Sequence, residues 1–294
     1  MKLPNFLIIG VQKAGTTSIY NYLVEHPQVF MSRIKETNFL EQNWLELPEG
    51  KRNKNGIVTI EDYARLFEPV TDEIAIGEAS PNYLFHDKTA AARIKQYVPE
   101  AKLIAVLRNP VERAYSDYLM HLRDSINGGV KTSFATQIDR AEKSFIIRKG
   151  FYAQGLKHFY QEFPKEQIKV CLYDDLVRDS QEFMRDFYRF IGVDADFSPD
   201  TTKKVQQAKV PKNQAINNLL QGQNPIRSIA ATALKTVMPL ETRQSIRDRL
   251  INFNSQSKKA LPLSPEDRDR LKAIYREDIL QLQDLIQHDL SSWL

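Results

Sequence analysis

The sequence predicts an α/β protein: a central parallel β-sheet of four to five strands flanked by helices, followed by a helical C-terminal part. Three observations carry this. Short, continuous apolar runs alternate with segments of helical periodicity, the pattern of strands buried on both faces and joined by helical crossovers. The first such run enters a glycine-bearing turn that opens directly into a helix. Strand signals then stop after Gly192, and the remainder reads as loop and helix.

Phe6–Ile9 is the first strand, Gly10 to Gly15 the turn, and Thr16 or Thr17 the expected cap of a helix through Ile19, Leu23 and Val24 that Pro27 stops. Val29–Met31 is the optional fifth strand. Residues 73–77 (EIAIG) form a short strand and 89–97 a helix. KLIAVL, residues 102–107, is the strongest strand, and Asn109-Pro110 breaks it into a helix over 111–123. Residues 149–163 read as a helix, 168–173 as a strand, and 180–191 as a helix ended by Gly192. A polar loop is expected over 194–212 and helices over 213–260. A last helix opens at Ser264-Pro265, serine at the cap and proline in the first turn. The reading is one domain over 1–294, with an α/β core over 1–193 and a basic loop and C-terminal helices over 194–294 packing on it.

With 294 residues, 42% hydrophobic and 27% charged, the chain has the composition of a globular protein. Its net charge of +4 is too mild to argue for nucleic acid, but it is unevenly spread. Residues 201–260 hold 11 Lys and Arg against 2 Asp and Glu, a local +9 on an otherwise acidic-leaning chain. The single cysteine, Cys171, excludes an internal disulfide and a multi-cysteine zinc site, and no two histidines have metal-ligand spacing on a helix. No metal site is expected. No apolar run reaches the ~20 residues of a membrane span, and the opening segment is too short for a signal-peptide core, so a cytoplasmic protein is expected.

The turn reads Gly10-Val11-Gln12-Lys13-Ala14-Gly15-Thr16-Thr17-Ser18. A glycine turn between a buried strand and a helix start is a phosphate cradle, because backbone N–H groups converge there and the helix dipole adds positive charge. The architecture is P-loop-like with one departure. The nucleoside-triphosphate loop places lysine directly after its second glycine, where this chain has Thr16, while its lysine lies inside the loop at Lys13. Phosphate binding by a different donor set follows. Downstream, Arg108 ends a buried strand and so emerges at the carboxyl edge of the sheet, where open α/β sheets bind ligands. Its planar guanidinium can fork onto a phosphate, and Ser116 lies two helical turns beyond.

GVQKAGTTSIYNYLVEHPQV resembles the 5′-phosphosulfate loop of sulfotransferases that use 3′-phosphoadenosine-5′-phosphosulfate (PAPS), and LRNPVERAYSDYLMHLR is similar to the 3′-phosphate motif of that family. KETNF at 35–39, GEASPNYLF at 77–85, KGFYAQGLKHF at 149–159 and the terminal DLSSWL extend the likeness over nearly the whole chain. It leans towards the heparan-sulfate and bacterial stand-alone branch. The resemblance implies the P-loop-like α/β fold, PAPS as donor, released as adenosine 3′,5′-bisphosphate, and no required metal. It assigns cofactor binding to Gln12, Lys13, Ala14, Gly15, Thr16, Thr17 and Ser18, with Arg108 and Ser116 on the 3′-phosphate. The two motifs lie 95 residues apart, from Lys13 to Arg108. Two departures stand out. Ala79 occupies a position where related branches carry lysine, and KVQQAKVPKN replaces the loop that covers the nucleotide in the heparan branch, making Lys209 and Lys212 candidate phosphate contacts.

Sulfuryl transfer needs an aligned acceptor, a base for its proton and stabilisation of the departing phosphate. Lys13, as the cation inside the loop, is the candidate for the leaving oxygen. Glu36 matches the family's catalytic glutamate, and Lys35 beside it can steady a carboxylate or sulfuryl oxygens. His121 is the alternative base, and Glu78, at a strand end, a lesser one. The acceptor expected is a hydroxyl or an amine or amide nitrogen of a small molecule or saccharide, with no nucleic-acid partner. Trp44, Tyr63, Phe67 and Phe134 stand either as acceptor-stacking rings or as core. Two rival functions remain at this level: a P-loop kinase or NTPase, disfavoured because KLIAVL ends in Arg108 rather than an acid, and a non-catalytic polyanion-binding module built on the 201–260 charge, which holds one aromatic, Phe253.

Overall fold

The computed structural model describes residues 1–124, 132–200, 210–211, 255–256 and 262–294. Five strands form one sheet: β1 (Phe6–Gly10), β2 (Val29–Met31), β3 (Ala75–Ala79), β4 (Lys102–Leu107) and β5 (Ile168–Leu172). Their spatial order is β2-β3-β1-β4-β5, and every pairing is parallel. The all-apolar sequence of β1 follows from this position. It is flanked by β3 and β4 and buried along its whole length, so no residue needs a polar face.

The crossovers are α1 (Thr16–Glu25) between β1 and β2, α2 (Ile60–Arg65) before β3, and α3 (Asp87–Tyr97) between β3 and β4. Between β4 and β5 come α4 (Pro110–Asp124), α5 (Phe134–Asp139), α6 (Phe145–Arg148) and α7 (Ala153–Glu162). The short α8 (Tyr173–Arg178) and α9 (Ser180–Ile191) follow β5, and Gly192 ends α9 in the left-handed conformation. The C-terminal helix α10 (Pro265–Ile286) starts as its sequence demands, with the Ser264 side chain accepting from the Asp267 N–H and Pro265 in the first turn. Its buried stripe of Leu271, Tyr275, Ile279 and Leu282 packs towards α4, α5 and α7.

The chain runs from β1 out to β2, returns to β3 beside β1, and then crosses to β4 on the other side. The carboxyl ends of β3, β1 and β4 are therefore adjacent at the point where the winding changes direction, the place where such sheets form a ligand crevice.

Several expectations are corrected. The cap of α1 is Gly15, left-handed and without a side-chain cap bond, rather than Thr16 or Thr17. The strand expected at 73–77 lies at 75–79, so Glu78 is within it. The helix expected from residue 149 begins at Ala153, because the Asp278 carboxylate accepts the N–H groups of Tyr152 at 2.7 Å and Ala153 at 3.2 Å and so defines the helix start. A two-residue antiparallel ladder pairs Val210–Pro211 with Ser255–Gln256, too short for any periodicity to announce. The helices expected over 213–260 lie outside the described residues. Trp44, Tyr63, Phe67 and Phe134 are all buried in the core, which removes them as acceptor-stacking rings.

Candidate functional site

The turn after β1 is built to leave amides available. Gly15 caps α1 with φ 78° and supplies no side chain to the first-turn N–H groups of Thr16, Thr17 and Ser18. A Cβ at Gly15 would meet Leu176 Cδ2 at 2.8 Å and the Tyr173 ring at 3.1 Å, so both conformation and space require glycine. No acid occupies the first turn of α1, so its dipole is not neutralised by the chain. Ala14 and Thr16 are buried beneath the loop, and Gln12 and Lys13 are half-buried on it.

Lys13 has φ 74°, a left-handed backbone in a non-glycine residue. Such a conformation costs on the order of 1–3 kcal/mol and persists where surrounding contacts over-determine it. The contact is visible: Arg108 Nη1 donates to the Lys13 carbonyl at 2.8 Å. Arg108 is itself fixed, with its guanidinium 4.7 Å from the Tyr173 ring centre and its own carbonyl accepting from the Tyr152 hydroxyl at 2.9 Å. The structure thus joins the two phosphate motifs through one hydrogen bond. The Lys13 ammonium lies 3.5 Å from Met120 Sδ, on the α4 side of the crevice. Asn109 accepts from the Val111 N–H at 3.0 Å and starts α4, which carries Ser116 half-buried.

Glu36 shares the strain. Its φ is 64°, and that of Asn38 is 52°. The Glu36 N–H donates to the Ala79 carbonyl at 2.9 Å, anchoring the turn on the carboxyl end of β3. Ala79 is in register with Ile8 of β1, so this anchor lies one strand spacing, about 4.8 Å, from the strand that enters the loop. Lys35 Nζ pairs with Glu36 Oε1 at 2.9 Å, and both side chains reach solvent.

Glu78 is not a candidate base. It is fully buried and ringed by the hydroxyls of Thr37, Tyr63, Ser80 and Tyr83. Burial raises its pKa, opposed by those hydroxyl bonds. His121, 39% exposed, lies 3.5 Å from Asp117 Oδ1 on the next turn of α4. Asp117 in turn forms an ion pair with Arg113 at 3.1 Å, both buried. His26 is core, stacked on Tyr188 and Phe197, and His86 and His158 pair with Glu41 and Asp87. Lys209 and Lys212 lie outside the described residues. Among the described residues, no group of three or more His, Cys, Asp or Glu is placed to hold a metal, and no helix is long and apolar enough to cross a membrane.

Lys149 was given no role by its sequence, although it stands in the quoted KGFYAQGLKHF segment. Its ammonium donates to Gln12 Oε1 at 2.7 Å, bringing a second lysine to the loop. Burial pushes its pKa down, and Glu36, Glu41 and Asp117 are near enough to oppose that shift. Arg148 and Lys149 both lie near the Phe85 ring. A small crevice lined by Gln12, Asn82, Phe85, Lys149, Phe151 and Tyr152 opens beside them.

The fold and site define an α/β protein whose loop lysine and strand-end arginine converge on the turn after β1. The chain belongs to the sulfotransferase family, whose family model matches residues 4–198. It is 30% identical over 204 residues to human bifunctional heparan sulfate N-deacetylase/N-sulfotransferase 3, an alignment covering 65% of this chain and 22% of the relative. To mouse carbohydrate sulfotransferase 15 it is 26% identical over 273 residues, 73% of this chain and 47% of the relative. The chain therefore spans less than half the length of these relatives. The crystal structure of a sulfotransferase from Alicyclobacillus acidocaldarius superposes with a TM-score of 0.73 at 28% identity, covering 100% of this chain and 99% of that one.

Proposed function

We propose that this protein transfers a sulfuryl group from PAPS to a hydroxyl or an amine or amide nitrogen of a saccharide or small-molecule acceptor. The observation that carries the reading is the Arg108–Lys13 hydrogen bond, which makes one anion site of two motifs 95 residues apart. The residues fit the donor: uncapped first-turn amides, a loop lysine, and a guanidinium with five N–H donors of which Lys13 takes one. Family membership supports PAPS, and the names of the heparan sulfate and carbohydrate sulfotransferase relatives support a saccharide acceptor.

When bound, PAPS supplies the sulfuryl group and a bisphosphate leaving group. The first-turn amides of Thr16, Thr17 and Ser18 and the Lys13 ammonium would hold the 5′-phosphate, and Lys13 would offset negative charge on the bridging oxygen. Arg108 and Ser116 take the 3′-phosphate. Glu36 would take the proton from the acceptor oxygen or nitrogen. Lys35 orients the Glu36 carboxylate through their 2.9 Å ion pair until the acceptor arrives. Lys149, through Gln12, fixes the loop on the acceptor side.

The test is a PAPS transfer assay over hydroxyl and amine acceptors, read by a gain of about 80 Da, the mass of one SO3 unit, in the acceptor. Glu36→Gln should lower kcat by about 10²–10⁴-fold, the usual contribution of a positioned base. Retained turnover in that variant would shift the role to His121. Failure of adenosine 3′,5′-bisphosphate to raise the Tm at millimolar concentration would refute donor binding.

A further inference from the structure

We propose that Glu78 is a positioning residue for Glu36, its ionised carboxylate setting the direction of a hydroxyl network that fixes the turn carrying the base. The proposal rests on the reading of Glu36 as that base. Glu78 accepts from Thr37 Oγ1 at 2.7 Å, from the Tyr63 hydroxyl at 2.7 Å, from the Tyr83 hydroxyl at 3.1 Å, and from Ser80. Each hydroxyl has one proton, and a carboxylate can only accept, so each spends that proton inward. Their lone pairs then face outward and accept from the turn. The Asn38 N–H donates to Ser80 Oγ at 3.0 Å, the Phe39 N–H to Thr37 Oγ1 at 3.3 Å, and the Leu40 N–H to the Tyr83 hydroxyl at 3.2 Å.

The amides of Asn38, Phe39 and Leu40, two to four residues after Glu36, are thereby bound by acceptors whose polarity Glu78 dictates. A neutral side chain at 78 lets the hydroxyls reverse and compete with those amides. The turn needs such control, since Glu36 and Asn38 are both left-handed without being glycine. On the outer side the carbonyls of Glu36 and Thr37 accept from Asn55 Nδ2 at 3.3 Å and Asn53 Nδ2 at 2.6 Å. Glu78 touches neither the crevice nor solvent, so its effect on transfer passes through this backbone alone.

The experiment compares Glu78→Gln, Thr37→Val and Thr37→Ser with the wild type in the full chain. The readouts are kcat, KM for PAPS, and the Tm gain from adenosine 3′,5′-bisphosphate. Glu78→Gln and Thr37→Val should each lower kcat by about 10–100-fold, the loss expected of a base displaced by about 1 Å. KM for PAPS should stay within twofold and the Tm gain should remain, while Thr37→Ser, which keeps the hydroxyl, should restore kcat. Unchanged kcat in Glu78→Gln, or loss of kcat together with nucleotide binding, overturns the proposal. If Glu78→Gln does not fold, the Thr37 pair decides: equal kcat in the Val and Ser variants overturns it. Glu36→Gln is run alongside. An active Glu36→Gln overturns the base assignment itself, whereas an inactive one beside a fully active Glu78→Gln overturns only the positioning role.

Discussion

The two sides of β1 use opposite means to hold a residue in place. On the β3 side, the Glu36 turn is held by hydroxyls, amides and one buried carboxylate, with no buried cation in the network. On the β4 side, Arg108, the Arg113–Asp117 pair, Tyr152 and Asp278 form a frame built on charges. On the proposed function, the difference follows from what each side would handle. A phosphate is a permanent anion, so the β4 side benefits from fixed positive charge whatever the reaction stage. The Lys35 partner of Glu36 is half-buried and lies outside that hydroxyl network.

The sharpest way to break the charged side is at Arg113. It is fully buried, paired with Asp117 and donating to the Ile146 carbonyl, so Arg113→Met leaves Asp117 as an uncompensated buried charge. The expected loss is about 3–5 kcal/mol of unfolding free energy, read by denaturant midpoint. A loss below about 1 kcal/mol would show that the frame does not depend on this pair. Lys13→Ala comes next: without its loop cation, kcat should fall about 10²–10³-fold. Arg108→Lys keeps the charge but loses the planar fork and the bond to the Lys13 carbonyl. KM for PAPS should rise by about 10-fold, with kcat reduced less. A fall in kcat with KM for PAPS unchanged would place Arg108 nearer the reacting centre than the comparison allows.

Much of this division was legible before the structure. The apolar runs gave the strands because a strand covered on both faces leaves no choice of polarity, and β2, β4 and α9 lie where the pattern placed them. The phosphate motifs were legible because glycine, lysine and arginine act there through backbone geometry and charge, which spacing encodes. The β3 side was not. Nothing in GEASPNYLF distinguishes a glutamate facing a crevice from one facing inward, since a strand alternates faces and Glu78 sits where two registers are plausible. Its four hydroxyl partners come from positions 37, 63, 80 and 83, a convergence only tertiary structure reveals. Lys149 escaped for the same reason, its partner Gln12 being 137 residues away. Trp44, Tyr63, Phe67 and Phe134 stood open as acceptor-stacking rings, but each packs into the core instead.

The smallest expected effect lies at Asp278, the far end of the charged frame, and it tests whether that frame responds to pH. Its carboxylate accepts the Tyr152 and Ala153 amides, and burial pushes its pKa up from 3.8 to about 6 against the pull of those bonds. Tyr152 and Tyr275 are its titratable neighbours. A carboxyl whose pKa is higher in the folded state binds its proton more tightly there. That contribution is complete below about pH 4 and is lost as pH rises through about 6. Asp278→Asn keeps an acceptor for the amides and removes the titration. Relative to wild type, the variant should therefore gain on the order of 1–2 kcal/mol between pH 4 and pH 7.5. The wild-type-minus-variant difference in unfolding free energy measures this directly, because other titrating groups cancel. A difference flat across that range would mean that Asp278 is already ionised at pH 4, leaving this end of the charged frame indifferent to protons.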